Sequence, residues 1–366
     1  MDKTAIAKLR LRNQKIVDST FSTAAEAVAW LGAVQAQDYQ MAKWAIGLRL
    51  TKATAQSVED EINAGTIIRT HVMRPTWHFV AADDIRWLLD LTAPRIQAAT
   101  AHRQRWLELD GNTLNRSNNI IAKALEGGNH LTRQELMAKL QRSRVSTNIE
   151  RATHIMLHAE LEGIVCNGKR RGKQFTYALF NERVPRTKSF AREEALAKLA
   201  LRYFKSHGPA TLKDFTWWSG LTAADAGEGL EFIKSSLVSE NVDGQLYWMS
   251  PSVDRQRLSK TVHLLPAFDE FTVSYKDRSA SVAPELMKNV TVGHAIFRPI
   301  IVVDGRVVGI WKRSYLKNLI NIEHTLFGDL NKSEQALLDR AGKRYGHFEH
   351  SEGTNRGVTP KLDQMT

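Results

Sequence analysis

Two glutamines one residue apart, Gln35 and Gln37, stand where an apolar helical run ends at Gly32 and a new one begins at Met41. If the chain turns sharply there, both amides converge on one small target. A carboxamide has no useful pKa near neutrality, so neither is a proton acceptor of any strength. Together they offer donors and acceptors to a water, a sugar or a base edge. Their bland role is that of solvated turn residues. A second stretch sets Arg69, His71, Arg74, Thr76 and His78 at two- and three-residue spacings. On a strand, Thr76 and His78 share one face and Trp77 takes the other. A hydroxyl and an imidazole side by side bind a phosphate, or His78 is a core histidine paired with a backbone carbonyl; the pattern leaves both open. Between residues 268 and 278, acids (Asp269, Glu270, Asp277) and bases (Lys276, Arg278) come in near-equal number, the usual mark of structural ion pairs.

Cations crowd one turn at Lys169, Arg170, Arg171 and Lys173. Such groups contact phosphates, which position a nucleic acid without reading its sequence; the plainer reading is a solvated tip. Arg142, Arg144 and Arg151 flank the start of an expected helix, the one whose N-terminal end would enter a major groove in a helix-turn-helix. The chain carries 51 Lys+Arg against 39 Asp+Glu, a net charge of +12 that favours polyanionic partners, nucleic acid before membrane. One cysteine, Cys166, excludes an internal disulfide and a cysteine-built zinc site, and suits a reducing compartment. There is no phosphate-binding Gly-rich loop ending in Lys-Ser/Thr, no zinc spacing and no Gly-x-Ser-x-Gly elbow. No secretory signal or bilayer-length apolar run is visible, so the expectation is a cytoplasmic, nucleoid-associated protein with no membrane contact, metal or cofactor.

The elements that must position these residues recur in one order. Helices are predicted over 24–34, 40–50 and 57–63, then a strand hairpin over 66–80. Thr23 with Glu26 forms a capping box for the first. After linker helices over 82–108, helices over 118–126, 133–141 and 148–162 precede strands over 164–179. Helices over 192–206, 211–218 and 222–236 precede a hairpin over 237–249. Three helices and a hairpin, three times over, is the order of tandem winged helix-turn-helix units. From 261 the texture turns to strands, with a hairpin turn at Asp304-Gly305, and predicts a small β-barrel or strongly curved sheet over 260–325. The expected fold class is α+β. Its divisions are 1–81 with the glutamines, 82–116 linker helices, 117–190, 191–255, 256–346 with a closing helix over 331–343, and a disordered tail over 347–366.

Val34-Gln35-Ala36-Gln37, Arg69-Thr70-His71 through Arg74-Pro75-Thr76-Trp77-His78, and Leu264-Leu265-Pro266-Ala267-Phe268-Asp269-Glu270 with Asp277-Arg278 stand in one order along the chain. In that order they resemble the winged-helix DNA glycosylases of the AlkZ/YcaQ type, from end to end. The Gln-hydrophobic-Gln form looks like the AlkZ branch; the YcaQ branch has aspartate where this chain has Gln37. The resemblance implies three winged helices and a β-barrel in a C-shaped monomer around double-stranded DNA. It also implies excision of bulky N7-alkylated purines and unhooking of interstrand crosslinks. Gln35 and Gln37 would then be the catalytic pair, holding a water and the sugar, with Arg74, Thr76, His78 and Asp269 as neighbours. Arg142, Arg144, Arg151, Lys169, Arg170, Arg171, Lys173 and Arg298 would hold DNA. An N7-alkylated guanine is already cationic and leaves without an acid, and no lysine stands out for a Schiff base, so the expected enzyme is monofunctional. The rival is a non-enzymatic winged-helix transcriptional regulator, which would protect a defined operator in footprinting.

Overall fold

The computed structural model describes residues 1–252, 259–293, 296–316, 319–349 and 358–362. Helix α1 (Lys3–Asn13) starts at Asp2, whose carboxylate accepts from Ala5 N. Helix α2 (Ala24–Leu31) starts at the Thr23/Glu26 capping box. It ends at Leu31 rather than 34, because Gly32 turns to φ +85, where a side chain would be strained. The chain then extends as strand β1 (Val34–Gln35), so the first glutamine lies on a strand and not on a helix end. Helix α3 (Tyr39–Gly47), capped by Asp38, and helix α4 (Ala55–Ala64) follow. Strands β2 (Ile67–Val72) and β3 (Arg74–Ala81) form a hairpin, and β1 joins its outer edge in the order β1-β3-β2.

Helix α5 (Ile85–Trp106) leads to α6 (Gly111–Leu125), the short strand β4 (Leu131–Thr132), α7 (Arg133–Arg142) and α8 (Ile149–Leu161). Strands β5 (Val165–Asn167) and β6 (Thr176–Leu179) pair, with β4 on the far side of β6, before the single turn α9 (Phe180–Arg183). Helices α10 (Arg192–Ser206), α11 (Leu212–Ser219) and α12 (Ala223–Ile233) precede the hairpin β7 (Val238–Val242) and β8 (Gln245–Met249), turning at Asp243-Gly244.

The C-terminal part contains β9 (Val262–Leu265), α13 (Glu270–Val273), α14 (Met287–Val290), the pair β10 (Thr291–Val292) and β11 (Ile296–Phe297), then β12 (Ile300–Val303), β13 (Arg306–Leu316), β14 (Leu319–Leu326), α15 (Lys332–Glu349) and β15 (Val358–Leu362). The expected barrel is not there: the sheet runs β15-β14-β13-β12-β9, open at both edges, and no closed barrel occurs among the described residues. It needs no closure, because helices cover its apolar face. Trp44 of α3 donates its indole N–H to Leu264 O, and Tyr345 of α15 packs edge-on against both Trp44 and Trp311. In the stretch expected to be a disordered tail, α15 runs on to Glu349 and β15 pairs in parallel with β14; the rest lies outside the described residues.

One apolar cluster joins α2, α3, α4 and β1 to the C-terminal sheet and α15, so the first and last parts of the chain share a core. At its heart Arg49 is fully buried and pairs with the equally buried Asp269, Nη1 and Nη2 lying 2.9 and 2.8 Å from the two carboxylate oxygens. Every remaining donor is used: Nε on Gln14 O, Nη1 on Ala45 O, Nη2 on Gln14 Oε1. The pair therefore ties α1, α3 and α13 together. Removing one member leaves a buried charge unpaired, which costs about 3–5 kcal/mol. Asp269→Ala and Arg49→Met should each lower the free energy of unfolding in urea by about that amount. The double variant should recover part of the loss.

Candidate active site

The Gln35–Gln37 segment is built by strand pairing. Gln35 faces His78 across the β1–β3 ladder, and Ala36 N donates to Trp77 O at 2.7 Å. Directly opposed residues on antiparallel strands put their side chains on one face. Ala36, fully buried, is held from its other end by Arg69, whose Nε and Nη2 donate to Ala36 O at 3.2 and 3.0 Å. That guanidinium lies 4.1 Å from the Trp77 ring centre, and burial pushes its pKa down to about 10, still charged at neutral pH. The residue between the glutamines is thus fixed by its backbone, and the two amides project from a rigid point.

The amides differ in environment. Gln35 is 9 % exposed. Its Oε1 accepts from Arg74 Nη2 at 3.3 Å, and its Nε2 has no protein partner among the described residues. Gln37 is exposed, and its Oε1 lies 3.4 Å from Trp77 N. The pair therefore runs from a buried, arginine-held amide to a solvent-facing one.

His78 is buried, and its Nδ1 lies 2.9 Å from Thr76 O. A carbonyl only accepts, so Nδ1 carries the hydrogen. Burial first, and Arg74 second, push the ring's pKa down to about 3, so the imidazole is neutral and Nε2 presents a lone pair. Of the two readings left open by the sequence, this is the core histidine paired with a backbone carbonyl, not the phosphate binder, and it lies beside Gln35. Arg74 and Thr76 lie on the same face of β3, with Arg74 Nε and Thr76 Oγ1 buried.

Behind Gln35 stands Glu270, which sequence reasoning passed over for its neighbour. Asp269 is the N-cap of α13 and faces Arg49, away from the glutamines. The Glu270 carboxylate accepts Gln35 N–H at 2.7 Å, Trp218 Nε1–H at 3.2 Å and the Ser274 hydroxyl. Burial alone would raise its pKa, but His207 first, then the Ser274 hydroxyl and Arg74, outweigh burial and hold it below the usual range. The signal was available: aspartate is a better N-cap than glutamate, which marks Asp269 as the cap and leaves Glu270 free. Arg69, the clamp on Ala36, was within the motif stretch but had no stated role.

The expected DNA-contacting residues divide. Arg142, Arg144, Lys169, Lys173 and Arg298 are exposed, and their side chains have no partner among the described residues. Three are already engaged. Arg151 donates to Ser146 O and Leu107 O; Arg171 pairs with Glu135 at 2.8 Å and donates to His130 O. Arg170 donates to Lys173 O and lies 4.2 Å from the Phe175 ring and 5.0 Å from that of Tyr39. Tyr39 also meets Phe175 edge-on at 4.8 Å, and Arg69 lies 5.0 Å from Phe175. The basic turn is therefore docked onto the segment that carries the glutamines.

Because His78 stays neutral down to about pH 3, while an unfolded histidine gains its proton near 6.5, the unfolded state binds more protons in that window. Stability therefore falls as pH drops below about 6.5, by about 1.4 kcal/mol per pH unit for this group. Burial lowers His207 in the same direction. Urea midpoints measured between about pH 7 and 4 should fall with acid, and less steeply in His78→Gln.

Comparison with known proteins gives one consistent result. Residues 28–348 match a family model described as "DNA glycosylase AlkZ-like". The interstrand DNA cross-link repair glycosylase of Streptomyces sahachiroi is 24 % identical over 322 residues, 83 % of this chain and 85 % of that protein. The solved structure of the Streptomyces sahachiroi DNA glycosylase AlkZ superposes with a TM-score of 0.78 at 20 % identity, over 99 % of this chain and 100 % of that one, so the two share a fold.

Proposed function

The chain belongs to the AlkZ-like DNA glycosylase family, and on that footing we propose that it hydrolyses the N-glycosidic bond of bulky N7-alkylated purines and unhooks interstrand crosslinks in double-stranded DNA. Crosslink repair is what its Streptomyces sahachiroi relative is named for, and comes to this chain as part of the proposal. The repeated order of helices and hairpin is read as three winged-helix units, which with the C-terminal sheet form a C-shaped monomer around the duplex. No described helix is long and apolar enough to cross a membrane.

One observation carries the reading: Gln35, opposite a neutral His78 and hydrogen-bonded by Arg74, next to an exposed Gln37. An N7-alkylated purine is cationic and leaves well, so the enzyme's task is to place a water at C1′ and stabilise an oxocarbenium-like sugar. Two amides on a rigid point place the water and hold the sugar. The buried Glu270 carboxylate adds negative potential where positive charge develops, and low dielectric makes it count. Among the described residues no lysine forms a hydrogen bond or ion pair with these groups, which supports a monofunctional reaction without strand cleavage.

Gln35→Ala and Gln37→Ala should each abolish release of N7-methylguanine while duplex affinity stays within a few-fold. Wild-type rates in both would refute the assignment. The exposed cations make a separate prediction. Lys169→Ala and Lys173→Ala should weaken binding across all sequences, each lowering the slope of log affinity against log salt by about 1. Arg151→Ala should leave that slope unchanged and lower the melting temperature, since its guanidinium is spent on Ser146 and Leu107 carbonyls.

A further inference from the structure

Three polar atoms on one face of β3 are buried without a partner: Arg74 Nε, Thr76 Oγ1 and His78 Nε2. Buried polar atoms almost always find a hydrogen bond, so such a set marks a partner supplied from outside the chain. Their chemistry is complementary to water. Arg74 Nε donates, His78 Nε2 accepts because Nδ1 holds the ring's hydrogen, and the Thr76 hydroxyl does either. The face is also the right one. His78 is the cross-strand neighbour of Gln35, and Arg74 reaches the Gln35 amide with a different nitrogen from the unpartnered one.

We propose that Arg74, Thr76 and His78 form the subsite that delivers the attacking water, and that His78 Nε2 is the atom that accepts its proton. This rests on the glycosylase reading above and deepens it. The C1′–N9 bond breaks and its electron pair goes to the cationic alkylated guanine, which leaves neutral. The water oxygen bonds C1′, one water proton passes to His78 Nε2, and the imidazolium then returns that proton to solvent. A neutral imidazole weakened by burial suffices, because water bonded to an oxocarbenium carbon is strongly acidic. The Glu270 carboxylate favours the transient imidazolium. Gln35 and Gln37 orient the nucleophile; His78 takes the charge it sheds.

The test is single-turnover excision of N7-methylguanine from a duplex by wild type, His78→Ala, Thr76→Val and Gln35→Ala, with duplex affinity and melting temperature measured for each. His78→Ala should bind DNA within a few-fold of wild type and cleave on the order of 10²-fold more slowly. Added imidazole should recover roughly tenfold of that rate, and should do nothing for Gln35→Ala. Thr76→Val, nearly isosteric, should slow the reaction with an unchanged melting temperature. A folded His78→Ala that cleaves at the wild-type rate, or a loss imidazole does not restore, overturns the proposal. If His78→Ala does not fold, Thr76→Val decides alone: a wild-type rate there overturns the proposal. If wild type itself leaves N7-methylguanine in place, the glycosylase reading fails. If wild type cleaves and only Gln35→Ala is inactive, the water subsite alone is wrong.

Discussion

Arg49 and Asp269 form an ion pair with no exposed surface on either side chain, and the candidate site is arranged around it. An unpaired charge at that depth would be very costly, so helix α13 has one place to start. With Asp269 turned inward as cap and counter-ion, the next side chain, Glu270, turns toward β1 and accepts the Gln35 backbone N–H. The same guanidinium holds Gln14, so the N-terminal helix, the third helix and the start of α13 are fixed to one point. An element some 220 residues from Arg49 in sequence is thereby brought to the glutamine-bearing strand.

Around that fixed point the site is graded rather than uniformly polar. Glu270 is buried and charged, His78 buried and neutral, Gln35 nearly buried, Gln37 exposed. For the proposed substrate, a leaving group that carries its own positive charge, this gradient is apt. Such a reaction needs no strong acid at the base. It needs negative potential and oriented dipoles at the sugar, where low dielectric strengthens both. Arg69 contributes by holding Ala36 O, so the chain between the two amides cannot rotate freely.

Much of this was legible in the sequence. The capping boxes at Thr23 and Thr132, the turns at Asp243-Gly244 and Asp304-Gly305, and the alternation of Thr76 and His78 about Trp77 all follow from local chemistry. What local chemistry did not reveal was pairing across the chain. Nothing near Gln35 announces that residues 34 and 35 will join β3, because a two-residue strand has no period. The choice between Asp269 and Glu270 turned on Arg49, far away in sequence. The barrel was expected from strand content; the helices that cover the open sheet instead come from both ends of the chain. The basic turn reads as four cations for phosphate, or a solvated tip, because its cations are visible in sequence and the internal partners of Arg170 and Arg171, Glu135 and the rings of Tyr39 and Phe175, are not.

That last contact has an evolutionary consequence. Arg170, Phe175, Tyr39 and Arg69 form a chain of ring and guanidinium contacts from the basic turn to the carbonyl between the glutamines. Under the proposed function, grip and turnover are therefore not separate heritable traits. A lineage that retunes the turn moves the glutamine segment with it, so substitutions in the two places should be inherited as matched sets.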